Sequence, residues 1–180
     1  ATIYNITALY RAGIDGSGQS IAVVGQTDIR QNDINGFRTR FNLPAINLQR
    51  LLVPGRTNPG VLSGDVEEAH LDIEWAGAVA RNAKIIYVYS DDVWESAMYA
   101  VDSNVAPVLT MSYGGCELWD LVDLPSNQDI ARQATAQGIT WLAASGDAGA
   151  TDCEDIDAVV AQNGLTVDVP AAIPEVTGMG

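Results

Sequence analysis

Apolar, β-branched runs at residues 20–25, 48–53, 84–89, 107–113 and 139–144 alternate with segments at 32–41, 65–81, 93–103 and 126–137 whose apolar positions recur every three to four residues. The runs predict strands and the periodic segments predict helices. The runs are apolar throughout rather than at alternate positions, the pattern of strands covered on both faces. Their order therefore predicts an α/β fold, a doubly wound, mainly parallel sheet with helices on both faces. Ligand sites in that architecture lie at the carboxyl ends of the strands, which directs attention to the loops after Val24, Tyr89, Tyr113 and Ala144. The closing residues, Glu175-Val-Thr-Gly-Met-Gly180, open another apolar run, so the domain is expected to be incomplete at its C-terminus.

The helical segment at 65–81 breaks the separation of apolar from charged positions. At 100° per residue with Glu68 at zero, Val66, Ala69, Leu71, Ile73, Trp75, Ala76, Val79 and Ala80 fill an arc from about −60° to about +160°. Asp72 falls near +40°, so Glu68 and Asp72 are expected to point inward together. Residues four apart have Cβ atoms roughly 6 Å apart, and two partly buried carboxylates at that spacing tend to hold one proton between them. Such a pair suits general acid/base chemistry in mild acid. A structural alternative exists, because Asp65 and Glu68 have the spacing of a reciprocal helix cap. That cap would account for Glu68 and leaves Asp72 unexplained.

Twenty-three acidic against nine basic residues give a net charge of −14. Long-range repulsion disfavours nucleic acid and anionic membranes as partners, and acid would relieve the self-repulsion. No stretch is long and apolar enough to span a membrane. The N-terminus, Ala-Thr-Ile-Tyr-Asn-Ile, reads as mature sequence, so any targeting or pro-segment is expected to precede Ala1. Cys116 and Cys153 are the two cysteines. Paired, they would place the protein in an oxidising compartment; the alternative is two half-buried thiols. No zinc-ligand spacing occurs, and no metal site is expected. The cluster Asp152, Glu154, Asp155 and Asp157 lacks the spacing and glycine of a calcium loop and is expected to be a solvated turn.

After the run at 139–144 comes Ser145-Gly-Asp-Ala-Gly149, a small-residue turn presenting Asp147 at the expected active edge. An aspartate there either caps a backbone N–H or, protonated, donates a hydrogen bond to a developing oxyanion. A Ser-His-Asp triad is not available. The single imidazole, His70, falls on the polar side of the 65–81 segment, where a surface histidine is expected, and in acid it would be protonated. A glutamate, by contrast, remains a competent base at low pH.

Glu68-Ala-His-Leu-Asp72, Met111-Ser-Tyr-Gly-Gly115 and Ala144-Ser-Gly-Asp-Ala-Gly149 resemble, in order, motifs of the sedolisins, the serine-carboxyl peptidases of subtilisin-like fold. The opening residues Tyr4-Asn-Ile-Thr-Ala-Leu-Tyr10 resemble the start of their mature catalytic domain, and the likeness covers the whole chain. The resemblance implies that Glu68 is the general base, Asp72 its proton-sharing partner and Asp147 the oxyanion-hole acid, and that residues 1–180 are the N-terminal half of the catalytic domain. It implies peptide or protein substrates, a secreted or otherwise acidic location, and calcium bound in the C-terminal half. An extended peptide is then expected beside Ser112, Tyr113, Gly114 and Gly115, with Tyr113 and Trp119 as candidate pocket walls.

Two departures stand out. The family's Gly-Thr-Ser nucleophile motif does not occur here, nor does Gly-x-Ser-x-Gly, so residues 1–180 alone are expected to be inactive. Tyr113 also stands where some relatives carry Trp. Two other classes fit the residues: a non-catalytic binding domain on the same fold, and a two-carboxylate hydrolase such as a glycosidase, for which the Glu68–Asp72 spacing is tight.

Overall fold

The structure, a computed structural model, describes residues 3–119, 121, 123–155 and 157–180. Six strands form one parallel sheet. In chain order they are β1 (Ser20–Gly25), β2 (Asn47–Leu52), β3 (Lys84–Tyr89), β4 (Val108–Met111), β6 (Thr140–Ala144) and β8 (Thr177–Met179), and in space they run β2-β3-β1-β4-β6-β8. A two-residue strand β5 (Gly115–Cys116) pairs antiparallel with β7 (Asp168–Val169). The helices are α1 (Thr7–Arg11), α2 (Gln31–Arg40), α3 (Val66–Val79), α4 (Val93–Asp102) and α5 (Leu124–Ala136). The expected strands and helices fall within a few residues of these bounds; α1, β5, β7 and β8 are too short to leave a periodic signal.

Alternate side chains of each strand face opposite layers, as the pleat requires. Ala22 and Val24 of β1, Ile86 and Val88 of β3 and Trp141 of β6 pack with α4 and α5. Val23 of β1 and Ile85, Tyr87 and Tyr89 of β3 pack on the other face with Ile34 of α2 and with Ala69 and Ile73 of α3. The chain thus moves from β1 outward to β2 through α2, and back to β3 through α3, on one face. Two parallel crossovers that run in opposite directions on one face have opposite hands. The β3-α4-β4 connection runs like β2-α3-β3 but uses the other face, so α3 is the exception and its crossover is left-handed, against the strong general preference.

The inward arc expected for α3 is narrower than the sequence suggests. Val66, Ala69, Ile73 and Gly77 are buried, but Leu71 is 48%, Trp75 57% and Val79 49% exposed. The reason is that α2 and α3 cover the β2-β3-β1 part of their face and leave the β4-β6 part open. Leu71, Trp75 and Val79 therefore border a groove of about 340 Å³ floored by Ile21, Val108 and Leu142, with Asp72 in its wall.

At the other end of α3, Arg38 of α2 is 3% exposed. Its guanidinium donates to the carbonyls of Gly77 (2.6 Å), Pro44 (2.7 Å) and Arg81 (3.3 Å). A cation beside the last carbonyls of a helix satisfies orphan acceptors and opposes the negative end of the helix dipole. Gly77 makes room for it, since a Cβ there would lie 3.1 Å from the Arg38 Nη1.

Candidate active site

The first turn of α3 does not use the reciprocal cap. Asp65 takes helical angles (φ −112°, ψ −19°) and its carboxylate makes no capping bond. It accepts instead from Gln26 Nε2 at 2.7 Å, from the loop after β1. The Tyr113 hydroxyl reaches the Asp65 carbonyl at 3.5 Å. The structural explanation for Glu68 therefore falls away, and the start of α3 is tied to the carboxyl ends of β1 and β4.

Asp72 lies one helical turn past Glu68. Its Oδ1 accepts from Ser112 Oγ at 2.7 Å, and its buried Oδ2 has no partner while both acids are ionised. Burial raises the Asp72 carboxyl from 3.8 to about 7; the Ser112 bond opposes the rise, and the charge of Glu68 and a hydrogen bond to it add to it. A proton on Asp72 answers the unpartnered oxygen, because the acid form can donate to Glu68. Burial likewise pushes the Tyr113 phenol up, helped by Asp65, Asp72 and Glu68, so it stays a neutral donor beside them.

His70 is not the surface histidine expected. Its side chain is 13% exposed, in the α2–α3 contact, with Nε2 accepting from the Arg30 N–H at 3.1 Å. Burial lowers its pKa, with Asp33 3.9 Å away opposing, so it packs as a neutral ring. The wheel placed it on the polar side correctly, but α2 covers that side.

The remaining candidates lie on neighbouring strand ends. Gly114 leads into β5 and Gly115 opens it, with the β7-facing edge already paired through Gly115 and Val169. A Cβ on Gly114 would sit 2.7 Å from Asp168 Oδ2. Ser112 and Tyr113 turn toward α3, so the residues expected beside a peptide divide between two neighbours. Trp119 is exposed. Asp147 is exposed after β6, and the backbone N–H of Ala148 donates to the Asp152 carboxylate at 3.0 Å. The acidic cluster is therefore more than a solvated turn: Asp152 organises the Asp147 loop, and Glu154 accepts from the N–H groups of Gln162 and Asn163. Cys116 and Cys153 form a disulfide.

The links from Ser112 to Asp72 and from Gln26 to Asp65 were beyond sequence reasoning, since no spacing joins a loop after a strand to a separate helix. Among the described residues no three acidic, histidine or cysteine side chains converge on one point. No helix of the described residues is long and apolar enough to cross a membrane.

Sheet order, crossovers and the helix-borne acid pair define a subtilisin-like α/β protein. No family model matches the chain. It is 33% identical over 181 residues to kumamolisin from Bacillus sp. (strain MN-32), a match that takes in 93% of this chain and 31% of kumamolisin. Pseudomonas sedolisin, a serine-carboxyl proteinase solved with two molecules of pseudo-iodotyrostatin, has a TM-score of 0.79 at 23% identity over 95% of this chain and 50% of its own. A lanthipeptide protease shares the fold more distantly, with a TM-score of 0.60 at 14% identity over 96% of this chain and 51% of its own. The chain belongs to the sedolisin family and spans part of that family's domain.

Proposed function

We propose that the chain is the acid-supplying half of a serine-carboxyl peptidase that hydrolyses peptide bonds in acid. Glu68 is the general base, Asp72 keeps the proton the pair shares, and Asp147, protonated, donates to the oxyanion. The serine comes from outside residues 1–180. Glu68 takes the serine proton as the oxygen attacks the scissile carbonyl, and Asp147 bonds the tetrahedral oxyanion. The proton then passes from Glu68 to the departing amine, leaving an acyl-serine that water cleaves by the same steps. The peptide lies extended beside Ser112, Tyr113, Gly114 and Gly115, and the disulfide suits a secreted, oxidising location.

The observation that carries this reading is the buried Asp72 carboxyl, raised to about 7 beside Glu68 and held by Ser112. A strongly shifted acid with a specific charge partner, at the end of a groove, is a functional-site signature. The test is cleavage of peptide libraries from pH 2 to 8 by the full-length protein with Glu68→Ala in parallel. An acidic optimum lost in the variant is expected. Folded full-length protein that cleaves nothing would point instead to a binding domain, and cleavage that ignores the substitution to a hydrolase of another mechanism.

A further inference from the structure

The turn of α3 that carries Glu68 is the least secured part of that helix. Glu68 is the third residue of α3, and no side chain caps the turn it belongs to. An uncapped first turn leaves backbone N–H groups unsatisfied and frays readily. Asp65 stands at the cap position, but its carboxylate is used elsewhere: Oδ1 accepts from Gln26 Nε2 at 2.7 Å. The Asp65 carbonyl accepts the first bond of the helix, from the Ala69 N–H at 3.0 Å. Gln26 therefore grips the residue on which α3 starts.

The loop that bears Gln26 is itself fixed on both sides of it. The Gly25 carbonyl accepts from Ser96 Oγ of α4 at 2.9 Å. The Thr27 carbonyl accepts from the Tyr87 hydroxyl of β3 at 2.9 Å, and Thr27 Oγ1 accepts from the Leu62 N–H at 2.8 Å. The Asp28 N–H donates to the Gly60 carbonyl at 2.8 Å, and the Asp28 carboxylate binds Arg50 of β2. Thr27 is fully buried. The loop is thus tied to α4, β3, β2 and the segment that leads into α3, and Gln26 is the side chain that carries this fixity to the helix.

The donor is also neutral. Asp65, Glu67 and Glu68 gather three acids at the start of α3. Among the described residues no lysine, arginine or histidine forms an ion pair with Asp65 or Glu68. A lysine or arginine in the place of Gln26 would hold Asp65, but its charge would favour ionised Glu68 and weaken it as a base. An amide fixes the start of the helix and leaves the basicity of Glu68 alone.

We propose that Gln26 is a positioning residue: by holding Asp65 with a neutral donor it sets the first turn of α3, and with it the direction in which Glu68 meets the attacking serine. The positioning role rests on the base function proposed for Glu68; the anchor at Asp65 does not.

The test compares Gln26→Ala and Gln26→Glu with the wild type in the full-length protein, by peptide cleavage and by amide exchange at Ala69. Gln26→Ala is expected to lower kcat by about 10- to 100-fold, the effect of a misplaced catalytic group, with KM within about twofold of wild type. It should also speed exchange at Ala69 by about tenfold through loss of the bond to Asp65. In Gln26→Glu the new side chain and Asp65 bond only while one of them keeps a proton, and ionised they repel. Glu67 and Glu68 beside them add to that repulsion, Asp28 is neutralised by Arg50, and Tyr113 at the Asp65 carbonyl stays uncharged. The ratio of variant to wild-type kcat is therefore expected to be about one at pH 3.5 and to fall by about tenfold by pH 6. A flat ratio overturns the proposal, as does an unchanged kcat in folded Gln26→Ala; should Gln26→Ala fail to fold, the Gln26→Glu ratio alone decides. If the wild type cleaves nothing, the base function of Glu68 falls instead, and unchanged Ala69 exchange in Gln26→Ala would refute the anchor as well.

Discussion

Glu68 and Asp72 meet because one helix carries them four residues apart, whereas Asp152 and the Asp147 turn are held together by the Ala148 N–H and by a disulfide and a two-strand ladder that join separate loops. The first pair gets its geometry from local structure and its shared proton from burial. The second gets its geometry from long-range links and sits near the surface, where solvent shares the charge. Helix-borne chemistry should therefore survive loosening of those loops, and loop-borne chemistry should be the first to go when the cross-links are cut.

The harshest test of the helix pair is Glu68→Ala, expected to lower kcat/KM of the full-length protein by about 10²- to 10⁴-fold, the usual worth of a general base. A smaller loss would mean that the working base lies outside the helix. Next comes pH-dependent stability. Asp72 is raised from 3.8 to about 7 in the folded protein. The folded state therefore binds the extra proton between those values, and stability falls as pH rises from about 4 to 7. The fall is at most about 4 kcal/mol from this group. Urea unfolding at pH 4, 5.5 and 7 should show that decline in the wild type and lose it in Asp72→Asn; equal slopes would mean the carboxyl is not held as described.

Replacing Cys116 and Cys153 by serine should cost about 4 kcal/mol by releasing the loop the bridge closes. It should speed amide exchange at Ala148, whose N–H donates to Asp152 at 3.0 Å, while leaving the Asp72 titration, followed by carbon NMR, near 7. If Asp72 moves as well, the two regions are coupled and the contrast fails. The smallest expected effect is that of Ser112→Ala. Losing the one bond that opposes the rise should move the Asp72 titration further up and weaken the fold by about 1 kcal/mol at neutral pH.

The same division between local and distant explains what could be read in the sequence. β1, β3, α4 and the inward placement of Asp72 follow from periodicity, which is local physics. The left-handed crossover through α3 does not, because handedness rules favour the other outcome. Without it the exposure of Leu71, Trp75 and Val79 cannot be foreseen, since periodicity tells apolar from polar and not which sheet face lies opposite. His70 failed for the mirror-image reason: a polar side chain on the polar side of a helix was covered by a second helix. Ser112 and Gln26 carry no motif that names their partners, and the structure finds both holding acids that the sequence had singled out.

Arg38 carries a consequence for the salinity this protein can tolerate. Its bonds to Gly77, Pro44 and Arg81 are made inside the protein, at 3% exposure, to backbone carbonyls rather than to a carboxylate. Mobile ions screen such contacts far less than they screen Arg132 with Asp129 at the surface. The seat of α3, and with it the bearing of Glu68, should hold from dilute buffer to brine while the surface ion pairs fade.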